Sequence, residues 1–174
     1  ERPLPVPGRG THFSLGRSDD PTGEVTNEDY TGALVEFENG CQGTFEASRT
    51  IFGPKCENAF DVYGTAGALS WNYEQLNELQ LYLPGDDGMH EGYTRLLISD
   101  RYPYQANFVP GDANGIGYDD LKVIEAFEFM KSVAAGEQSR PGFAEALAVA
   151  EVQAAMIRSW ETESWEDVIR LRQD

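Results

Sequence analysis

Alternation of apolar and polar residues with a period of two runs through the first part of this chain, and helical spacing replaces it in the last third. From Asn58 to Trp71, Phe60 and Val62 alternate with Asp61 and Tyr63, which predicts a strand with one buried face. Gly64 and Gly67 bracket Thr65 and Ala66. Because glycine tolerates the positive φ of a tight turn, the chain can reverse there and begin a paired strand at Ala68 and Leu69. Leu79, Leu81 and Leu83 give a third strand, so the stretch reads as a meander on which helices can pack. Upstream, Thr31, Ala33, Val35 and Phe37 share one face of a strand over 30–37. Asn39-Gly40 then predicts a two-residue type I′ hairpin. The return strand over 42–51 places Phe45, Ala47 and Ile51 on one side and Thr44, Glu46, Ser48 and Thr50 on the other. That second face suits water, a ligand or a wet interface.

Residues 1–28 are rich in Pro, Gly, Asp and Thr and read as loop or edge, with one strand-like segment at Thr11–Leu15. Another strand is expected over Tyr93–Ser99, and 101–117 forms a long irregular loop of the kind that often carries function. Leu121, Ile124, Phe127, Met130 and Ala134 then lie at helical spacing, with Gly136 as a C-terminal stop. Pro141 is placed to open a second helix, whose apolar stripe runs through Phe143, Leu147, Ala150, Ala154 and Ile157. No repeat interrupts this order. The pattern gives a single α+β domain over 1–174: a mostly antiparallel sheet with C-terminal helices on one face.

Charge narrows the function classes. A formal charge of −17 and a pI near 4.3 argue against nucleic acid, since phosphate binding needs clustered Lys and Arg. No apolar run approaches the ~20 residues of a bilayer span, so no membrane partner is expected. Cys41 and Cys56 flank one predicted strand, about ten extended residues or roughly 30 Å apart, too far for a disulfide. Two reduced thiols fit a cytoplasmic protein. A chain that opens Glu1-Arg2-Pro3 without Met reads as part of something longer.

Catalytic constellations are scarce. His12 and His90 have no partners at metal-ligand spacing, and no Gly-x-Ser-x-Gly elbow accompanies them. Glu36 and Glu46 can be read as a carboxylate pair opposed across the hairpin, but 30 acidic residues make chance pairs common. Gly115-Ile-Gly117 lacks both the third glycine and the preceding strand of a dinucleotide-binding turn. Arg49, Lys55, Asn58, Tyr104 and Tyr118 form the candidate substrate-binding set. Arg and Asn hydrogen-bond polyol hydroxyls, and Tyr both stacks on a sugar ring and donates a bond. The competing reading gives Arg49 an acidic partner, makes Asn58 a loop cap and uses the tyrosines as filling between sheet and loop.

Several of these stretches together resemble a known family. Gly-Thr-x-Gly-Ala-Leu at 64–69 followed by Asn77-Glu-Leu is similar to the C-terminal domain of the Gfo/Idh/MocA oxidoreductases, relatives of glucose–fructose oxidoreductase and inositol 2-dehydrogenase. The Asn-Gly hairpin closing on Ser48-Arg49, Tyr102-Pro-Tyr104, Phe108-Val-Pro-Gly111, Gly117-Tyr-Asp119 and Arg140-Pro-Gly-Phe143 extend the resemblance from Tyr30 to Val168. Tyr102 stands where a His is common. The resemblance implies an open-faced sheet like the C-terminal domain of glyceraldehyde-3-phosphate dehydrogenase, which completes a sugar or cyclitol pocket. It also implies pairing of such sheets into homo-dimers or tetramers, and NAD or NADP held by a preceding Rossmann domain. That domain and the Glu-Lys-Pro lysine are not in this chain, and the family's Asp-x-x-x-His pair is expected upstream of Glu1, so no catalytic, cofactor-binding or metal-binding residue is assigned to it and it is expected to be inactive alone. The alternative is a non-enzymatic module that uses its sheet for self-association or ligand binding.

Overall fold

The computed structural model describes residues 2–4, 17–85, 91–108, 111–112 and 114–171; Thr11–Leu15 and both histidines lie outside them. The fold is α+β, an open antiparallel sheet with the C-terminal helices packed on one face. Two compact units divide the chain, Glu1–Gly53 and Pro54–Asp174.

In the first unit, β1 (Arg2–Pro3) pairs with β2 (Thr22–Gly23), and β3 (Tyr30–Glu36) pairs with β4 (Gln42–Ser48). Thr31, Ala33 and Val35 lie opposite Ala47, Phe45 and Gly43, so the apolar face is the one the alternation gives. Glu46 faces Gly32 and Glu36 faces Gln42, which separates the two carboxylates by four positions, about 13 Å along the strand. They are not an opposed pair. The turn also differs from the expected type I′. Phe37 and Cys41 close a three-residue loop in which the Gly40 N–H donates to the Phe37 carbonyl at 2.8 Å. Gly40 has φ +81° while Asn39 keeps an ordinary negative φ, so this is a type I turn completed by a left-handed glycine. The Asn39 side chain accepts from the Cys41 N–H at 3.1 Å, a local bond that competes with the I′ geometry. β4 ends at Ser48 rather than Ile51, and the Thr50 N–H turns back onto Ser48 Oγ at 3.3 Å.

The second unit is built on a meander, β5 (Ala59–Gly64), β6 (Gly67–Asn72), β7 (Glu78–Tyr82) and β8 (Thr94–Leu97), all antiparallel in that spatial order. Its register puts Phe60, Val62, Leu69, Trp71, Leu79, Leu81 and Leu96 on one face. A polar row, Asp61, Ser70, Gln80 and Arg95, crosses all four strands on the other. Gly67 is irreplaceable in this turn. Its φ is +153°, and a Cβ there would sit 2.5 Å from the Tyr82 carbonyl oxygen of the adjacent strand.

Helix α1 (Tyr118–Ala135) begins where Asp120 Oδ2 accepts from the Gly117 N–H at 2.8 Å, and ends at Gly136 with φ +68°. Helix α2 (Phe143–Thr162) opens in the same way, with Glu145 Oε2 accepting from the Gly142 N–H at 2.8 Å. Pro141 therefore precedes the cap instead of occupying the first turn. The inward stripes also shift from the expected ones. Leu121, Ile124, Glu128 and Ser132 are half-buried on α1, and Leu147, Val152, Ala155 and Met156 face inward on α2. Phe127, Met130, Phe143 and Ile157 remain exposed. Among the described residues only Ala155 and Gln105 are buried, so apolar strand and helix faces are left available to a partner surface. No helix among the described residues is long and apolar enough to cross a membrane.

Candidate substrate site

The connection between β6 and β7 gathers the surrounding loops. Asn72 ends β6 and caps a short 3₁₀ turn, η1 (Tyr73–Gln75), by accepting from the Glu74 N–H at 2.8 Å. The same side chain donates to Glu57 Oε1 at 2.7 Å. Glu74 Oε1 in turn accepts from the backbone N–H groups of Lys55, at 2.5 Å, and Cys56, at 3.0 Å. Those two bonds, that to Lys55 foremost, hold the Glu74 carboxyl below its ordinary pKa. The Tyr73 N–H donates to the Asn58 carbonyl at 2.9 Å. Segment 54–58 is thus laced to η1 along its length. The backbones of Lys55 and Asn58 are fixed by it, while their side chains are exposed.

Two residues beyond η1, Asn77 clamps a second segment. Its Nδ2 donates to the Ile116 carbonyl at 3.0 Å, and its Oδ1 accepts from the Ile116 N–H at 2.8 Å. One side-chain amide thereby satisfies both backbone groups of a loop residue, as a neighbouring strand would. Gly115 makes room for it, since a Cβ at that position would lie 2.5 Å from Asn77 Nδ2. Ile116 leads directly into Tyr118 at the start of α1. The Tyr118 ring is largely exposed, with Lys122 Nζ 5.5 Å from its centroid. A hydrogen bond to Glu125 at 2.7 Å chiefly raises the Lys122 pKa. Trp71 packs edge-on against Tyr73 at 6.2 Å and tilted against Phe60 at 5.6 Å, continuing the aromatic surface onto the sheet.

Lys55, Asn58 and Tyr118 are therefore organised about one connector. Tyr104 sits elsewhere along α1. It has a left-handed φ of 70°, and its hydroxyl donates to Glu128 Oε1 at 2.7 Å, about 15 Å of helix beyond Tyr118. That bond raises the Tyr104 pKa and, together with Lys131, lowers that of Glu128. Arg49 follows β4 in the first unit, where its N–H donates to the Asp29 carbonyl at 3.0 Å. Asn72, Tyr73, Glu74 and Asn77 were not in the sequence-derived set. Their only sequence signal is a pair of asparagines bracketing a strand-to-strand connection, where Asx side chains commonly bond nearby backbone. Among the described residues no group of three or more His, Cys, Asp or Glu could hold a metal ion.

Residues 9–70 match the family model for the GFO/IDH/MocA C-terminal domain. Over those residues the chain is similar to the C-terminal domain of the Gfo/Idh/MocA family. Its relatives include levoglucosan dehydrogenase of Pseudarthrobacter phenanthrenivorans, 34% identical over 168 residues, a match that covers 97% of this chain and 43% of that protein. A solved structure of levoglucosan dehydrogenase in complex with NADH and levoglucosan aligns with a TM-score of 0.80 at 34% identity, over 86% of this chain and 41% of that one. An NAD binding oxidoreductase from Klebsiella pneumoniae aligns with a TM-score of 0.79 at 32% identity, over 88% of this chain and 41% of its own. The chain thus spans about two fifths of the length of the relatives it matches.

Proposed function

We propose that this chain is the single substrate-binding and oligomerisation domain of an NAD(P)-dependent oxidoreductase acting on a sugar or cyclitol hydroxyl in the cytoplasm. The observation that carries the reading is similarity to levoglucosan dehydrogenase over nearly the whole chain. The reaction class is hydride transfer between a substrate carbinol carbon and a nicotinamide. The residues described here do not fit the dinucleotide: α1 follows an irregular loop rather than a strand, and its opening carries no third glycine for a pyrophosphate. No catalytic step is therefore assigned to this chain.

What its residues can do is bind and orient. Asn58 and Lys55 offer an amide and an ammonium group from a segment fixed on η1, and Tyr118 offers a stacking face and a hydroxyl. Arg49 supplies a guanidinium suited to vicinal hydroxyls, and Tyr104 a ring whose hydroxyl can still accept a bond. Oligomerisation is assigned to the exposed sheet surface.

Two measurements test the assignment together. A full-length protein containing this chain is expected to reduce NAD or NADP when given levoglucosan or a related sugar or cyclitol. The 174-residue chain alone is expected to give no heat with NADH or NADPH in calorimetry. Micromolar dinucleotide binding by the isolated chain, or a full-length protein inert toward every sugar and cyclitol tried, contradicts the proposal.

A further inference from the structure

The two loops that carry exposed candidate ligands have no regular structure of their own, yet both are tied to one short connector. Segment 54–58 is held by Asn72, Tyr73 and Glu74, and segment 115–117 is held by Asn77, only three residues after Glu74. Apart from the Asn72 bond to the Glu57 carboxylate, each tie is made to backbone, so it fixes where a loop runs and leaves the Lys55 and Asn58 side chains available. Geometry of this kind matters for a polyol. A sugar presents hydroxyls at fixed separations, and a displacement of about 1 Å in one partner is enough to lose a bond or misalign the reacting carbon.

Resting on the sugar-binding reading above, we propose that the connector from Asn72 to Asn77 sets the spacing between the Lys55/Asn58 loop and Tyr118. Glu74 and Asn77 are then positioning residues for substrate that do not touch it. Asn77 is the sharper case. A neutral amide is the side chain of its size that both donates to the Ile116 carbonyl and accepts from the Ile116 N–H. Asp in its place keeps the acceptor and loses the donor, and Ala loses both. Gly115 belongs to the same device, because any side chain there would enter the volume of the Asn77 amide.

Hydrogen exchange on the 174-residue chain reads the tie directly. The Ile116 amide is expected to exchange at least about tenfold faster in Asn77→Ala than in the parent, with Asn77→Asp between them. In the full-length dehydrogenase, Asn77→Ala and Glu74→Ala are each expected to raise KM for levoglucosan about tenfold, with kcat and melting temperature near the parent values. Asn77→Asp is expected to recover part of the loss. An unchanged Ile116 exchange rate, or an unchanged KM in both alanine variants, overturns the proposal and leaves the dehydrogenase reading standing. A joint fall of kcat and melting temperature in all three variants, with no separate effect on KM, overturns it in favour of a purely structural role. A parent enzyme inactive on all sugars and cyclitols removes the dehydrogenase reading, and this proposal with it.

Discussion

Glu74 holds two backbone N–H groups with one carboxylate oxygen, and its titration reports whether that clasp is closed. The bonds from Lys55 and Cys56 favour the charged form, so the folded pKa lies below the ordinary 4.5. A depressed carboxylate stabilises the folded arrangement fully above its unfolded pKa, and the contribution disappears as pH falls through the folded value. The Lys55 and Cys56 amide shifts should therefore be flat near neutrality and titrate together in acid, with a midpoint below 4.5. An NMR titration checks this; a midpoint at or above 4.5, or two independent midpoints, contradicts the clasp. Residue chemistry alone named Lys55 and Asn58 as candidate substrate-binding groups. It could not name Glu74, since one glutamate among 30 acidic residues carries no mark of the backbone it will meet.

At the scale of elements, strand periodicity was readable because a period of two survives any arrangement of the sheet. Every strand of the meander lies within a residue or two of its expected limits, and the Thr31, Ala33 and Val35 face pairs with Phe45 and Ala47 as the alternation requires. Turn geometry was less legible. Asn39-Gly40 fits two hairpin types, and the Cys41 bond to the Asn39 side chain selects the three-residue loop. Gly40 still occupies the left-handed region, with no neighbouring atom within 4 Å of where its Cβ would be, so a substitution is strained by backbone conformation and not by crowding. Gly40→Val should accordingly destabilise the hairpin by roughly 1–3 kcal/mol. Chemical denaturation checks it, and an unchanged midpoint would show that the turn relaxes without cost. Helix stripes were misassigned for a related reason. Both helices are apolar on more than one side, so spacing alone cannot say which side turns inward. Leu121 and Ile124 do, while Phe127 and Met130 do not.

At the scale of the molecule the outstanding feature is how little of the described chain is buried. Phe60 and Val62, on the edge strand of the meander, are each about half exposed, at 50% and 52%. The opposite sheet face carries a row that runs from Asp61 on one edge strand to Arg95 on the other. A two-fold axis through the middle of such a row would bring Asp61 of each copy over Arg95 of its partner, an arrangement complementary to itself. The four-stranded face measures only about 19 by 17 Å, so a standard interface of ~800 Å² per partner needs surface beyond it. Repulsion from a charge of −17 opposes association, but salt screens exposed charges beyond about 10 Å. The chain is expected to sediment well above its 19.3 kDa monomer mass at micromolar concentration in ~0.15 M salt, and Arg95→Glu should weaken the complex. A clean monomer under those conditions rules out this use of the sheet.

The sequence by itself determined the α+β class, the order of the main strands and helices, and the family resemblance, because alternation, helical spacing and short Gly-, Asn- and Pro-bearing motifs are local properties that folding does not rearrange. It also marked Lys55, Asn58 and Tyr118 as polar and aromatic candidates for binding a sugar. Only the tertiary structure decided that these three share one connector, that Tyr104 spends its hydroxyl on Glu128 and that Glu36 and Glu46 stand four positions apart. Each of those facts depends on a bond or a register between segments far apart in the chain. The tie between Asn77 and Ile116 spans 39 residues, and no local pattern records which loop a side-chain amide will find at that distance.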